Sequence, residues 1–141
     1  MRAKTKVATA TTIHPLYVLL AALTLLMLLP MAARADGKSE IVTAWTHADL
    51  AGKATALDGV HMHLHHALNC LVGPNGTGYD AKQMNPCANA GNGAIPDAKD
   101  AATKTALEAA AKDAAAGIAD TDLAKAQAAA NATAAKLKAA E

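Results

Sequence analysis

Four histidines stand within six positions of the segment GVHMHLHHALNC, residues 59–70. Histidine is a common ligand for transition-metal ions because a neutral imidazole nitrogen offers a lone pair near physiological pH. Elsewhere the chain has only His14 and His47. This local concentration predicts a metal-binding segment.

On a helix the side chains of this segment fall on two faces, because each residue advances by about 100°. His61 and His65 are spaced i, i+4 beside an apolar stripe, so we predict that both imidazoles face the core and bind one ion. Asp58 lies one turn earlier and would add a carboxylate oxygen or hold an imidazole N–H. Met62 lies on the same side and offers a thioether that suits copper(I).

His63 and His66 occupy the opposite side of the helix with spacing i, i+3, on the side of Cys70. We predict that this pair is more exposed and forms a second, weaker site that favours copper(II) or nickel(II). The expected cofactor is therefore a divalent transition metal, namely copper, nickel or zinc.

His47 precedes His61 by 14 residues, which corresponds to about 21 Å along a continuous helix. It can join the site only if the chain folds back between the two, for instance at Gly52 or Gly59.

Other interpretations of the histidines stay open. A solvated or core polar stretch of helix needs no ion, and a b-type haem needs only one or two axial ligands such as His and Met. Covalent c-type haem is excluded because the chain has no Cys-x-x-Cys-His. No glutamate stands between His61 and His65, so a zinc peptidase has no support and we expect no enzymatic activity.

The first 35 residues have the layout of a secretory signal peptide. A basic start is followed by an apolar run over residues 16–29, then Pro30 and the small residues that end at Ala35. The run is shorter than the ~20 residues that span a bilayer as a helix. We expect cleavage after Ala35, a mature domain of residues 36–141 that is not held in a membrane, and a periplasmic location.

Net charge and composition indicate which partners and what kind of core to expect. Removal of Arg2, Lys4, Lys6 and Arg34 changes the balance from 13 basic and 12 acidic residues to 9 and 12, so the net charge moves from +1 to −3. A mildly acidic domain without a basic block gives no support for nucleic-acid binding. The chain has no Phe and one Trp, so alanine must supply much of a thin core.

Helical periodicity dominates the rest of the chain. An apolar stripe with steps of three and four residues predicts one long helix, broken or bent near Gly52 or Gly59. Its members are Thr43, His47, Leu50, Ala54, Leu57, His61, Leu64, Leu68 and Leu71. Further helices are predicted from an Asp97 cap to about Ala116, and from a cap at Asp120 or Thr121 to about Ala139, with Gly117 as the stop between them.

Residues 73–96 are rich in glycine, asparagine and proline, and predict an irregular loop. Such a long loop needs a tether, and an exported chain meets an oxidising environment. Cys70 and Cys87 are therefore predicted to form a disulfide that closes the loop. The fold class that follows is an all-α antiparallel bundle of three to four helices.

The alanine-spaced segment ALEAAAKDAAAGIADTDLAKAQAAANATAAKLKAA resembles the small His-rich periplasmic metal-binding proteins of proteobacteria. The resemblance covers about residues 98–139 and implies an exported four-helix bundle that binds divalent metals such as copper. That family spreads histidines through every helix, whereas residues 67–141 contain none, so no ligand is carried over.

Taken together, these features predict an exported transition-metal-binding protein that buffers or delivers its ion. The alternatives are a non-enzymatic envelope interaction module, in which the loop near Cys87 contacts a protein partner, and a b-type haem bundle.

Overall fold

A computed structural model describes residues 37–141 of the chain. The predicted signal peptide, residues 1–35, lies outside the described residues. Four long helices and one short helix make up the described part: α1 (Gly37–Lys53), α2 (Leu57–Val72), α3 (Ala94–Asp97), α4 (Ala101–Ala119) and α5 (Leu123–Ala140). The predicted all-α helical bundle is confirmed.

The four long helices run alternately up and down. Short turns over residues 54–56 and 120–122 join α1 to α2 and α4 to α5 at one end, called here the turn end. The side-chain amide of Gln127 donates to the carbonyl of Ala54 across that end. The loop over residues 73–93 and α3 lie at the opposite end, the loop end. Each long helix packs mainly against two neighbours, in the ring α1, α2, α4, α5.

Alanine forms most of the contact between helices. Fully buried alanines occur on each of the four long helices: Ala44, Ala48, Ala51, Ala67, Ala110, Ala114, Ala126 and Ala130. Larger side chains such as Leu64, Leu71, Leu107 and Leu137 fill the space between these close contacts. Small residues permit the close approach, so a chain without phenylalanine still buries a core. This core consists of two hydrophobic clusters, and Val72 and Ala111 pack against both.

The structure corrects the stripe predicted for α1. Leu50 is 42 % exposed, while Ile41, Ala44 and Ala48 are buried. The buried face lies about one position away from the predicted one. The prediction gave large apolar residues more weight than alanine, but in this bundle the alanines mark the face that packs.

The helix boundaries also differ from those predicted. Asp100, and not Asp97, caps α4, because its carboxylate accepts from the amide of Thr103. Asp122 caps α5 in the same way through Lys125. Gly117 does not stop the helix but lies buried inside α4, where an added Cβ would meet Leu64 and Ala129.

The predicted disulfide between Cys70 and Cys87 is present and ties the loop to the end of α2. The side chain of Asn69 adds a second tether, since it accepts from the amide of Asp80 and donates towards the carbonyls of Asp80 and Met84. The disulfide and these hydrogen bonds hold the loop in one conformation, although it has little regular secondary structure.

None of the described helices combines the length and the apolar character needed to cross a membrane.

Candidate metal centre

The turn between α1 and α2 decides which histidines meet. α1 ends at Lys53, and α2 begins at Leu57 after a turn in which the amide of Gly59 donates to the carbonyl of Ala56. The chain therefore folds back between Gly52 and Gly59, which is the condition under which His47 can reach the histidine segment. The two helices then pack side by side along their lengths.

His47 of α1 lies against His63 and His66 of α2. One nitrogen from each of the three rings can be chosen so that all three atoms lie within 4.8 Å of one another. Nδ1 of His47 lies 3.3 Å from Nδ1 of His63. Among residues 37–141, this is the one group of three or more His, Cys, Asp or Glu side chains with metal-binding spacing. The three histidines, here termed the trihistidine cluster, could hold a metal ion.

The centroids of the three rings form a triangle of similar sides. The ring centroid of His66 lies 5.0 Å from that of His47 and 5.9 Å from that of His63, with nearly perpendicular planes in both cases. The His47 and His63 rings are 5.5 Å apart and tilted by 37°. The imidazoles are thus not stacked face to face, and ring nitrogens can point into a shared space.

Burial makes these imidazoles poor bases. The pKa of His47 is lowered from 6.5 to about 4, mainly by burial and further by the nearby His66 and His63. Burial also lowers the pKa of His66, with His63 and His65 adding to the effect. Two protonated imidazoles this close would repel each other, so each histidine lowers the pKa of its neighbours. His47 and His66 are therefore neutral at pH 7, which is the form that binds a metal.

One nitrogen of the trihistidine cluster has no protein partner. His66 is only 5 % exposed, and its Nδ1 atom is buried without a hydrogen bond among the described residues. An unsatisfied buried polar atom costs roughly 1–3 kcal/mol. A metal ion or an N–H of a neighbouring ring would satisfy such a nitrogen.

The measured spacing fits a transition metal. An ion with tetrahedral geometry and metal–nitrogen bonds of about 2.0–2.1 Å holds its ligand nitrogens about 3.3 Å apart. The Nδ1 atoms of His47 and His63 already have this separation. The ligand nitrogens of all three rings lie within 4.8 Å of one another.

His61 and His65, the pair predicted to face the core and share an ion, contact different parts of the protein. Nε2 of His61 donates to the backbone carbonyl of Asp120 at 2.9 Å, which fixes its ring against the end of α4. Nδ1 of His65 lies 3.8 Å from a carboxylate oxygen of Asp80 in the loop. Asp58 is exposed at the start of α2 and does not form a ligand group with the two histidines in the described part of the chain.

The predicted exposures on α2 are also corrected. His66 is buried and His63 half-buried, although both were expected to be the more exposed pair. Met62, placed with the core-facing histidines, is 42 % exposed. The reason is packing: α1 covers the side that carries His63 and His66.

Sequence reasoning left open whether His47 joins the site. The segment GKATALDG between α1 and α2 contains two glycines but no proline, and its periodicity continues smoothly through the turn. The possible bend at Gly52 or Gly59 was the signal available for bringing His47 in. Helical spacing alone cannot pair residues on different helices.

Comparison with protein-family models, with curated proteins and with solved structures found no match to this chain.

Proposed function

We propose that this protein binds a divalent transition-metal ion through His47, His63 and His66. The observation that carries the proposal is the convergence of three imidazoles from two helices on ligand atoms within 4.8 Å of one another. Two of these imidazoles have depressed pKa values, so protons do not compete for them near pH 7.

The chemistry of the ligands selects the class of metal. Calcium and magnesium require oxygen ligands, and the trihistidine cluster contains only imidazole nitrogens. Nitrogen ligands suit copper, nickel and zinc, and the general order of affinity places copper(II) above the other two. We therefore expect copper(II) to bind most tightly in a direct comparison.

Three protein ligands leave coordination positions for an exchangeable group. His47 and His63 are half-buried, so one side of the cluster is reached by solvent while His66 closes the other. Ligand exchange at such a position supports metal buffering or delivery as the task of the protein.

Export is the second part of the proposal. The layout of residues 1–35 favours secretion, and a disulfide between Cys70 and Cys87 is typical of an oxidising compartment such as the periplasm. The resemblance to small His-rich periplasmic metal-binding proteins supports the same assignment.

A pair of matched double variants tests the metal centre. His63→Ala with His66→Ala removes two cluster ligands, whereas His61→Ala with His65→Ala removes the same number of histidines from the same segment. Binding of copper(II), nickel(II) and zinc(II) would be measured by competition with a chelator of known affinity, with circular dichroism as the check on folding. We expect the first variant to lose the tight site and the second to keep it. Retention of the tight site in a folded His63/His66 variant would refute the proposal.

A further inference from the structure

A cavity of about 580 Å³ opens at the loop end of the bundle and involves none of the three histidines. Its lining comes from the end of α2, two parts of the loop, α3 and the first half of α4. The residues that matter for its chemistry are Val72, Asn75, Asn92, Ile95, Lys104 and Glu108. The volume is within the range of about 300–1,000 Å³ found for small-molecule sites.

Close backbone contacts fix the walls of this cavity. A Cβ added at Gly93 would lie 2.6 Å from the amide nitrogen of Gly73, so the two loop segments touch through glycines. A Cβ at Gly76 would collide with the carbonyl of Val72. The carboxylate of Glu40 accepts from the amide of Gly93 at 2.9 Å, and this anchors the same segment to α1. A cavity with fixed walls loses little entropy when it binds a ligand.

The lining of the cavity combines one positive and one negative side chain with apolar side chains. Val72 and Ile95 supply apolar side chains, while Lys104 and Glu108 stand one turn apart on α4. No ion pair joins Lys104 to Glu108 within residues 37–141, although residues with this spacing are neighbours on a helix. Both charges are thus available to a ligand that carries a cation and an anion.

The lining matches some ligand classes better than others. A fatty acid would pair with Lys104 but leave Glu108 without a partner from the ligand, and an alkyl amine would do the reverse, whereas a zwitterion pairs with both. Sugar sites commonly use aromatic faces for stacking, and no aromatic residue lines this cavity. Asn75 offers an amide donor and an amide acceptor, which are the groups that pair with a peptide bond. The side-chain amide of Asn92 already donates to the carboxylate of Asp97 at 3.1 Å, so Asn92 contributes mainly its acceptor oxygen.

We propose that this cavity binds a zwitterionic dipeptide with aliphatic side chains. Its ammonium group would pair with Glu108, its carboxylate with Lys104, and its side chains would contact Val72 and Ile95. Two extended residues span roughly 7 Å. The two ends of the dipeptide are thus about as far apart as Lys104 and Glu108, because Cβ atoms one helical turn apart are separated by ~5–6 Å. The proposal does not depend on metal binding.

Titration of the full domain with leucyl-alanine tests the proposal, with binding followed by calorimetry and by amide chemical shifts. We expect saturable binding, with shifts concentrated in residues 72–77, 92–96 and 104–111. Acetylation of the peptide amine and amidation of its carboxylate should each weaken binding by about five-fold, the scale of one partly exposed charge pair. Glycyl-glycine, which lacks the apolar side chains, should bind more weakly still. Lack of saturation at about 10 mM peptide would overturn the proposal, since that corresponds to negligible affinity.

Charge variants locate the binding site. Lys104→Gln and Glu108→Gln should each weaken leucyl-alanine binding by about five-fold, and Glu108→Gln should also abolish the penalty for acetylating the peptide. Lys112→Gln, on the same helix but outside the lining, is the matched control and should bind as the native protein does. All three side chains are exposed, so folding is not at risk. Equal binding by the native protein and the Lys104 and Glu108 variants would refute the assignment.

Discussion

Nδ1 of His47 lies 3.3 Å from Nδ1 of His63, across the contact between α1 and α2. The two residues are 16 positions apart in the chain, and only the reversal at residues 54–56 places them side by side. His66, one turn beyond His63, completes the trihistidine cluster. Metal affinity should therefore depend on the contact between the two helices as well as on the histidine-rich segment.

Substitution of His47 tests that dependence directly. We expect His47→Ala to weaken metal binding by at least about 100-fold, because loss of a supporting group outside the ligand set already costs 10–100-fold. Thr46→Ala is the matched control, since the Thr46 hydroxyl donates to the carbonyl of Val42 in its own helix and is exposed. A chelator competition assay on both variants gives the comparison. Unchanged affinity in His47→Ala would place the ion elsewhere.

The stability of the metal-free protein should fall as the pH is lowered from about 6.5 towards 4. His47 has an ordinary pKa of 6.5 in the unfolded chain and a pKa of about 4 in the folded protein. In this window the unfolded chain binds a proton that the folded protein does not, so protonation favours unfolding. Burial shifts the pKa of His66 in the same direction.

Urea denaturation at several pH values measures this effect. The variant His47→Gln, which cannot titrate, should lose less stability across the same interval than the native protein. An identical pH dependence in the two proteins would contradict the assignment of the effect to His47.

The disulfide should stabilise the fold without being needed for metal binding. Replacement of Cys70 and Cys87 by alanine should lower the free energy of unfolding by about 3 kcal/mol, the value expected for a closed loop of this size. Metal affinity should be retained, because His63 and His66 lie on α2 and His47 on α1, outside the closed loop. Loss of metal binding in a folded double variant would show that the loop supports the trihistidine cluster.

Two glycines with positive φ should respond differently to alanine. Gly73 ends α2 at φ 66°, and a Cβ there would collide with the carbonyl of Asn92. Gly78 has φ 92°, but its Cβ would find Leu68 at an ordinary 3.5 Å. Gly78→Ala should therefore cost about 1–2 kcal/mol from backbone strain alone, and Gly73→Ala clearly more. Equal losses, measured by thermal or urea unfolding, would contradict a steric role for Gly73.

His61 should matter for stability and not for the trihistidine cluster. Its Nε2–H bonds to the carbonyl of Asp120 and joins α2 to the end of α4. His61→Ala should lower the free energy of unfolding by about 1 kcal/mol, the usual contribution of one hydrogen bond. Metal affinity should not change. A large loss of affinity would instead support the ligand role that helical spacing predicts for His61.

The amino-acid sequence was sufficient to predict the all-α bundle and the pairing of Cys70 with Cys87. Helical periodicity and the glycine-rich loop are local features, and two cysteines, one on the helix before that loop and one within it, allow one intramolecular pair. The sequence also indicated residues 61–66 as the segment that could hold a metal ion, because a local density of histidines is visible without tertiary information.

The partners of those histidines were decided by tertiary structure. His61 and His65 share a helix face, but contacts with Asp120 and Asp80 draw them to different surroundings. His63 and His66 meet His47 because Ile41, Ala44 and Ala48, and not Leu50, mark the buried face of α1 that packs against α2. Spacing along one helix fixes the direction of each side chain relative to its neighbours. Which direction faces another helix depends on the packing of the whole core.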